Sequence, residues 1–175
     1  MNKTYTETFT VRATDCDFER RMRLDALFVA MQEGGERHAL ALGAGYDQMM
    51  ARGLFFALAR IHVSTLRAPR QGETVVHTTW PGEMNRFFCP RYHVFSLEDG
   101  TPLAAAGALW VMLDTKQRRI VSPQKVDLGF PDAPARASGR NAAGLQSHAA
   151  VFRFRRKRPR QQHQIHRVAL RCARL

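Results

Sequence analysis

The spacing of apolar residues changes twice along the first half of the chain. Residues 4–12 alternate, with Tyr5, Glu7, Phe9 and Val11 on one side and polar residues on the other. This alternation predicts a strand with one covered face. From Leu24 to Leu42 apolar residues recur every three or four positions, a spacing that predicts one helix of about five turns.

Two adjacent glycines, Gly34 and Gly35, lie inside the predicted helix. Each glycine costs a helix about 1 kcal/mol relative to alanine, so a pair of them needs a structural reason. We expect that they allow another backbone to approach closely, and that the helix is therefore buried.

Strand-like stretches follow, and the pattern indicates no further helix among them. They are Leu54–Thr65, Glu73–Trp80, Phe87–Leu97 and Leu103–Leu113. Asp99-Gly100 predicts a hairpin between the last two, and the alanine-rich Leu103–Leu113 is typical of a central strand against which a helix sits closely. A strand, a long buried helix and four antiparallel strands form the order of a hotdog fold, an α+β domain in which a sheet wraps around one helix.

The positive charge of the chain is confined to its end. Residues 1–135 contain 16 Lys and Arg against 15 Asp and Glu, whereas residues 136–175 contain 11 against none. Periodicity also disappears after Pro134, so we predict a hotdog domain over residues 1–134 and a basic, disordered tail over residues 135–175. Such a tail could bind nucleic acid, but it has few aromatic residues and the domain has no basic stripe. We therefore expect no specific nucleic-acid partner.

Cysteine use and hydropathy suggest a cytoplasmic protein. The three cysteines, Cys16, Cys89 and Cys172, are an odd number without the spacing of a disulfide framework or a metal site, so reduced thiols are expected. No stretch approaches the roughly 20 apolar residues of a membrane span. We predict no metal, no cofactor and no membrane association.

Candidate catalytic chemistry is sparse in residues 1–135. We expect His38, His62, His77 and His93 to be structural histidines, and Cys89 to be a small core side chain. No Ser-His-Asp arrangement emerges from the spacing of the residues.

Several longer segments carry a family resemblance. "VRATDCDFERRMRLDALFVAMQEGGERHA", "LFFALARIHVSTLRAPRQGETVVHTTWPG", "RFFCPRY" and "LWVMLDTKQRRIVSP" together resemble the N-terminal half of bacterial acyl-acyl carrier protein (acyl-ACP) thioesterases, over nearly all of residues 5–123. The most specific pieces are the Thr79-Trp80-Pro81-Gly82 turn, the Arg60 strand that leads to Arg67 and Pro69, and Trp110 to Asp114 followed by Arg118-Arg119. The resemblance implies hydrolysis of a fatty acyl thioester carried by acyl carrier protein. It also implies a first hotdog domain that shapes the acyl pocket and a second that carries an Asp-x-Asn-x-His motif.

The in-frame counterpart of that motif runs from Asp15 to Arg21. It has Glu19 where the motif has Asn and Arg21 where it has His; a protonated guanidinium cannot act as a base. The first half is therefore expected to be non-catalytic. Asp17 is the one candidate catalytic residue, as the acid of a single-hotdog acyl-CoA thioesterase that works as a homo-oligomer. The alternative is a structural carboxylate at the helix entry.

The tail admits a further interpretation. Permitted codons for Phe152 to Ala173, when read one nucleotide later, spell SDFDVNGHVNN and then TKYIEWLCDA, which includes the Asp-x-Asn-x-His motif. We therefore hypothesise a frameshift between about Phe130 and Val151 that replaces the catalytic half of an acyl-ACP thioesterase. A first domain without its second would expose apolar surface and a strand edge, so homodimerisation or aggregation is expected.

Overall fold

A computed structural model describes residues 4–126 and residue 128 of the chain. The strands are β1 (Tyr5–Thr10), β2 (Leu54–Thr65), β3 (Thr74–Pro81), β4 (Cys89–Leu97), β5 (Pro102–Asp114) and β6 (Ile120–Val121). The helices are α1 (Leu24–Ala41), α2 (Tyr46–Ala51) and two short 3-10 helices at Ala13–Asp15 and Pro123–Lys125. The predicted basic tail of residues 135–175 lies outside the described residues.

The strands form one antiparallel sheet in the order β1-β3-β4-β5-β2, with β6 paired to β5. Helix α1 packs on one face of this sheet, mainly over β3 and β1. The predicted α+β hotdog architecture is confirmed, and the observed bounds of α1 and β2 agree closely with the apolar spacing that predicted them.

Helix α1 packs mainly over β3 and β1 and not over β5 as predicted, but β5 is an interior strand of the sheet, as its alanines indicated. It lies between β4 and β2, and its small residues face large ones across the ladder. The directly opposed pairs are Phe95 with Ala104, His93 with Ala106, and Arg91 with Ala108. Because each alanine is short, the large side chains of β4 can extend beneath α1 without steric conflict.

Gly34 of α1 allows other groups to approach the helix closely, but these groups are side chains and not a backbone. A Cβ atom on Gly34 would lie 2.5 Å from Glu7 Oε1 and 2.6 Å from His77 Cε1. The expectation of a neighbouring backbone is therefore wrong. The physical reason is that polar side chains of β1 and β3 project towards the helix and fill the space that a second backbone would have taken.

Helix α2 is absent from the prediction. It has one buried side chain, Met49, in six residues, so its sequence shows no helical periodicity. Two side-chain oxygens cap its first turn. Gly45 N donates to Gln48 Oε1 at 2.8 Å, and Tyr46 N donates to Glu36 Oε1 of α1 at 2.8 Å. The contact with Gln48 is local to the helix and the contact with Glu36 depends on tertiary position, and neither could be read from hydropathy.

Candidate functional site

A chain of hydrogen-bonded polar side chains lies between α1 and the sheet. Glu7 Oε1 is 3.2 Å from His77 Nδ1, and His77 Nε2 is 3.0 Å from His93 Nδ1. A carboxylate can only accept, so the network assigns Nδ1–H to His77, which then accepts at Nε2 from Nδ1–H of His93. This assignment leaves Nε2 of His93 as an acceptor.

The chain of contacts extends to solvent through a surface arginine. Glu7 Oε2 accepts from Arg37 Nη1 at 2.6 Å, and Arg37 Nη2 also pairs with Glu33 at 3.0 Å. The carboxylate of Glu7 therefore bridges an exposed guanidinium and the buried His77, which the missing side chain of Gly34 makes possible.

Arg91 is a second buried polar group, with 8% of its surface exposed. Its Nη1 donates to Thr79 Oγ1 at 3.2 Å and to His38 Nδ1 at 3.3 Å. Neither acceptor is a carboxylate. A buried guanidinium whose contacts are to neutral groups retains the capacity to bind an electron-rich atom of a ligand.

Burial sets the protonation states of the site. It lowers the pKa of His77, against the opposing effect of Glu7. Burial, together with the proximity of His77 and Arg91, which disfavours a second positive charge, holds the pKa of His93 well below its ordinary value. Burial also lowers the pKa of Arg91 to about 10, against the effect of Glu36. At neutral pH both histidines are therefore uncharged and Arg91 is protonated.

A cavity of about 360 Å³ lies between α1 and the sheet next to these groups. Apolar atoms dominate its wall, from residues that include Met31, Ala39, Phe56, Cys89 and Trp110. Exposed residues Gln32, Glu36 and Tyr46 border it on the helical side, while Arg91 and His93 contribute its buried polar groups. The volume falls within the roughly 300–1,000 Å³ of small-molecule sites.

Cys89 lines this cavity, but its thiol is a poor nucleophile. Burial raises the pKa of Cys89 to about 12, so almost no thiolate forms near neutral pH. The side chain is 5% exposed, which confirms the prediction of a small core residue.

Asp17, the one candidate catalytic residue, lies in a turn before α1 and not among the residues that line the cavity. Its Oδ1 accepts from the backbone N–H groups of Arg21 and Glu19, each at 2.9 Å, and its Oδ2 accepts from Arg21 Nε at 3.3 Å. These hydrogen bonds, the one from the Arg21 N–H first, lower the pKa of Asp17 and keep it ionised. Arg21 also pairs with Glu19.

The structure brings together residues that sequence reasoning treated separately. His38, His77 and His93 are all buried, and Arg91 joins them although no role was predicted for it. One signal was present: the segments that carried the family resemblance include Thr79, which binds Arg91, and Trp110, which lines the cavity. Their strand positions become meaningful only when β3, β4 and β5 are paired.

Neither a metal site nor a spanning helix is found in the part of the chain that the structure describes. No group of three or more His, Cys, Asp or Glu in residues 4–126 and 128 is placed to hold a metal ion. No helix within the same residues is long and apolar enough to cross a membrane.

Comparison with known proteins identifies the domain. Residues 2–126 match the family model described as the N-terminal domain of acyl-ACP thioesterases. A chloroplastic dodecanoyl-acyl-carrier-protein hydrolase of Cinnamomum camphora is 30% identical over 125 residues, a match that covers 66% of this chain and 32% of that protein. A chloroplastic acyl-acyl-carrier-protein hydrolase of Cuphea viscosissima is 25% identical over 123 residues, covering 66% and 30%.

Solved structures agree with the sequence matches. The 12:0-ACP thioesterase of Umbellularia californica superposes with a TM-score of 0.66 at 25% identity, covering 77% of this chain and 54% of that one. The chain spans about a third of the length of the curated relatives it matches.

Proposed function

This chain belongs to the acyl-ACP thioesterase family, whose N-terminal domain it contains, and from that premise we propose that its cavity binds the acyl chain of an acyl-ACP thioester. The observation that carries the proposal is the cavity of about 360 Å³ between α1 and the sheet. Its largely apolar wall offers a fatty acyl chain a site away from water, and burial of each methylene group contributes about 0.8 kcal/mol.

The described residues support a binding role more than a hydrolytic one. Cys89 is held as a thiol, and His77 and His93 hydrogen-bond to each other beneath the helix. The motif counterpart is occupied by the Asp17 turn, in which Arg21 and Glu19 pair with each other. We therefore propose that hydrolysis requires residues from outside this domain, as the two-domain resemblance implies.

Binding is tested with the full chain and dodecanoyl-ACP, a length chosen because two relatives are named as dodecanoyl or 12:0 enzymes. We expect the chain to bind dodecanoyl-ACP more tightly than unacylated ACP in a calorimetric titration. Ala39→Leu should weaken this binding because Ala39 lines the cavity, whereas the control Ala41→Leu lies on the exposed side of the same helix. Equal affinity for acylated and unacylated ACP would overturn the proposal.

The shifted-frame hypothesis concerns residues outside the described part of the chain and stays a prediction. Nucleotide sequence from codon 125 onward tests it directly. An acyl-ACP hydrolysis assay of this chain beside a frame-corrected version tests its consequence, and we expect hydrolysis in the corrected version alone. Codons that do not spell the motif one base later would contradict it. A cytoplasmic location and the absence of a specific nucleic-acid partner also stay predictions.

We also propose that copies of the chain associate through β2. This strand has twelve residues and lies at one end of the strand order, and an exposed strand edge is a template for pairing. Light scattering coupled to size-exclusion chromatography should show a dimer or larger species. A stable monomer at micromolar concentration would refute this expectation.

A second candidate function is a single-hotdog acyl-CoA thioesterase that acts as a homo-oligomer, with Asp17 at a site between copies. The observation in its favour is the Asp17 carboxylate, which is kept ionised on a partly exposed turn, since an ionised carboxylate can serve as base or nucleophile. Loss of acyl-CoA hydrolysis in Asp17→Asn, with oligomeric state unchanged, would support it. Full activity in that variant, or no activity in the unaltered chain, would exclude it.

A further inference from the structure

Four basic side chains at one end of the domain have no carboxylate partner. Arg86, Lys116, Arg119 and Lys125, which we call the basic patch, are exposed and form no ion pair within the part of the chain that the structure describes. Elsewhere in the domain, carboxylates pair with Arg12, Arg21, Arg23, Arg37 and Arg67. Unpaired charges of one sign on one surface fit a partner of opposite charge.

The fold gathers the basic patch from separate segments. Lys116 and Arg119 lie in the turn between β5 and β6, Arg86 lies in the loop between β3 and β4, and Lys125 lies in the 3-10 helix after β6. The β3–β4 loop, β6 and the segment after it all pack on one apolar cluster that includes Met49 of α2. Because the four residues are spread along the chain, the sequence shows no basic stripe.

Carboxylates at this end of the domain leave the basic patch unpaired. Asp114 accepts at Oδ1 from the backbone N–H groups of Lys116 and Gln117, at 2.9 and 2.6 Å, so it caps the turn. Glu83 and Asp47 are exposed and join no ion pair among the described residues. The four basic side chains are therefore available to carboxylates of a partner.

The basic patch adjoins the outer end of the cavity. Phe56 lines the cavity and also packs on the apolar cluster that includes Met49. Tyr46 of α2, which is 63% exposed, borders the cavity at this end, whereas Met31, towards the start of α1, is 1% exposed. An acyl chain that enters beside Tyr46 and extends towards Met31 therefore leaves its carrier over the α2 end of the domain.

We propose that the basic patch docks an acidic face of the carrier protein that delivers the acyl chain. This inference rests on the proposed function, since it names the surface that holds the partner of the same cavity. Opposite charges steer the carrier protein to the cavity and fix its orientation there. Nucleic acid is also polyanionic, but it gives no reason for a basic patch beside an apolar cavity.

The test is a titration of the full chain with unacylated carrier protein, which has no acyl chain to occupy the cavity. Lys116→Glu combined with Arg119→Glu should weaken binding at least about tenfold at low salt, and salt should reduce the difference by screening. The matched control combines Arg20→Glu with Arg70→Glu, two exposed residues near the start of β3, at the opposite end of the sheet. It changes the net charge equally and should alter the affinity less than about twofold. The basic tail is the same in both variants.

Two further measurements keep the test decisive. The amide analogue of dodecanoyl-pantetheine cannot be hydrolysed and lacks the carrier protein, so it should bind the patch variant and the unaltered chain equally. If the charge reversal does not fold, Lys116→Gln combined with Arg119→Gln removes the same charges, and we expect it to weaken carrier-protein binding at least about threefold.

The outcomes separate this inference from the proposed function. If the unaltered chain does not bind unacylated carrier protein, or if the patch variant binds it as tightly as the control does, the docking inference is wrong. It is also wrong if the patch variant loses affinity for a DNA duplex but keeps its affinity for the carrier protein. If the amide analogue does not bind the unaltered chain, the proposed function itself fails and the inference fails with it.

Discussion

Substitution of the two adjacent glycines of α1 should have opposite effects on stability. Within a helix, glycine to alanine ordinarily stabilises by about 1 kcal/mol. We expect Gly35→Ala to approach this gain, because its new Cβ would lie 3.4 Å from Arg91 Cδ and no closer to any other atom. This is ordinary van der Waals contact, so nothing has to move.

Gly34→Ala should destabilise the same helix. Its Cβ would lie 2.5 Å from Glu7 Oε1 and 2.6 Å from His77 Nδ1. Glu7 is a flexible side chain and could turn aside, whereas His77 is fully buried between Phe95 and His93, at ring-centroid distances of 4.4 and 5.3 Å. The imidazole cannot move without disturbing its hydrogen bonds to Glu7 and His93.

The size of the Gly34→Ala effect can be worked out from these contacts. Overpacking costs about 1–3 kcal/mol, and each lost hydrogen bond costs about 1 kcal/mol. After subtraction of the helix-propensity gain, we expect Gly34→Ala to lower the free energy of unfolding by about 2–4 kcal/mol. Urea denaturation of the full chain, followed by circular dichroism at pH 7.5, measures both variants. If Gly34→Ala is as stable as the unaltered chain, or if both variants shift equally, the packing argument is refuted.

Three further predictions concern protonation and the candidate carboxylate. Burial lowers the pKa of His77 and His93 in the folded state, so the stabilisation that depends on their neutral forms is complete above pH 6.5 and is lost as pH falls. Urea denaturation at pH 7.5 and 5.5 measures this loss, and equal free energies of unfolding at the two pH values would contradict it. The Cys89 thiol, with a pKa of about 12, should react with iodoacetamide at pH 8 far more slowly in the native chain than in urea. Mass spectrometry measures the two rates, and equal rates would show that the thiol is accessible and ionised. Asp17→Asn should lower the free energy of unfolding at pH 7.5 and leave it nearly unchanged at pH 3, because the pKa of Asp17 is lowered by hydrogen bonds with Arg21 and the ionised carboxylate therefore stabilises the fold only above its unfolded pKa. Equal stability of the variant and the unaltered chain at pH 7.5 would argue against a structural role.

Much of the fold could be predicted because each long element carries its own pattern. The helix bounded by Leu24 and Ala41 has a continuous apolar stripe, and β2 alternates over most of its length. Asp99-Gly100 has the hairpin conformation it predicted: Gly100 has a φ of 85°, and Thr101 N donates to Asp99 Oδ1 at 2.8 Å. Helix α2 has no such stripe, so its formation depends on contacts from Glu36 and Gln48.

The candidate site was less predictable because its residues come from separate strands. Residues an even number apart in a strand share a face, so Cys89 and His93 lie on one face of β4, but strand geometry alone does not show that Trp110 lies across from Cys89. The role of Arg91 was hidden for the same reason. A charged residue in a strand usually faces water, and this one can be buried because Ala108 beside it is short and Gly35 of α1 has no side chain to occupy the space next to it.

The sequence alone determined the order of the long elements, the hotdog architecture and the family, since these depend on local periodicity and on long segments of matching residues. Tertiary structure decided which polar groups meet and what state they are in. Gly34 shows the difference: its presence in a helix signalled a close approach, but the partner could be identified only from the pairing of β1 with β3. That pairing places Glu7 beside His77, and burial beneath the helix then keeps the imidazole neutral.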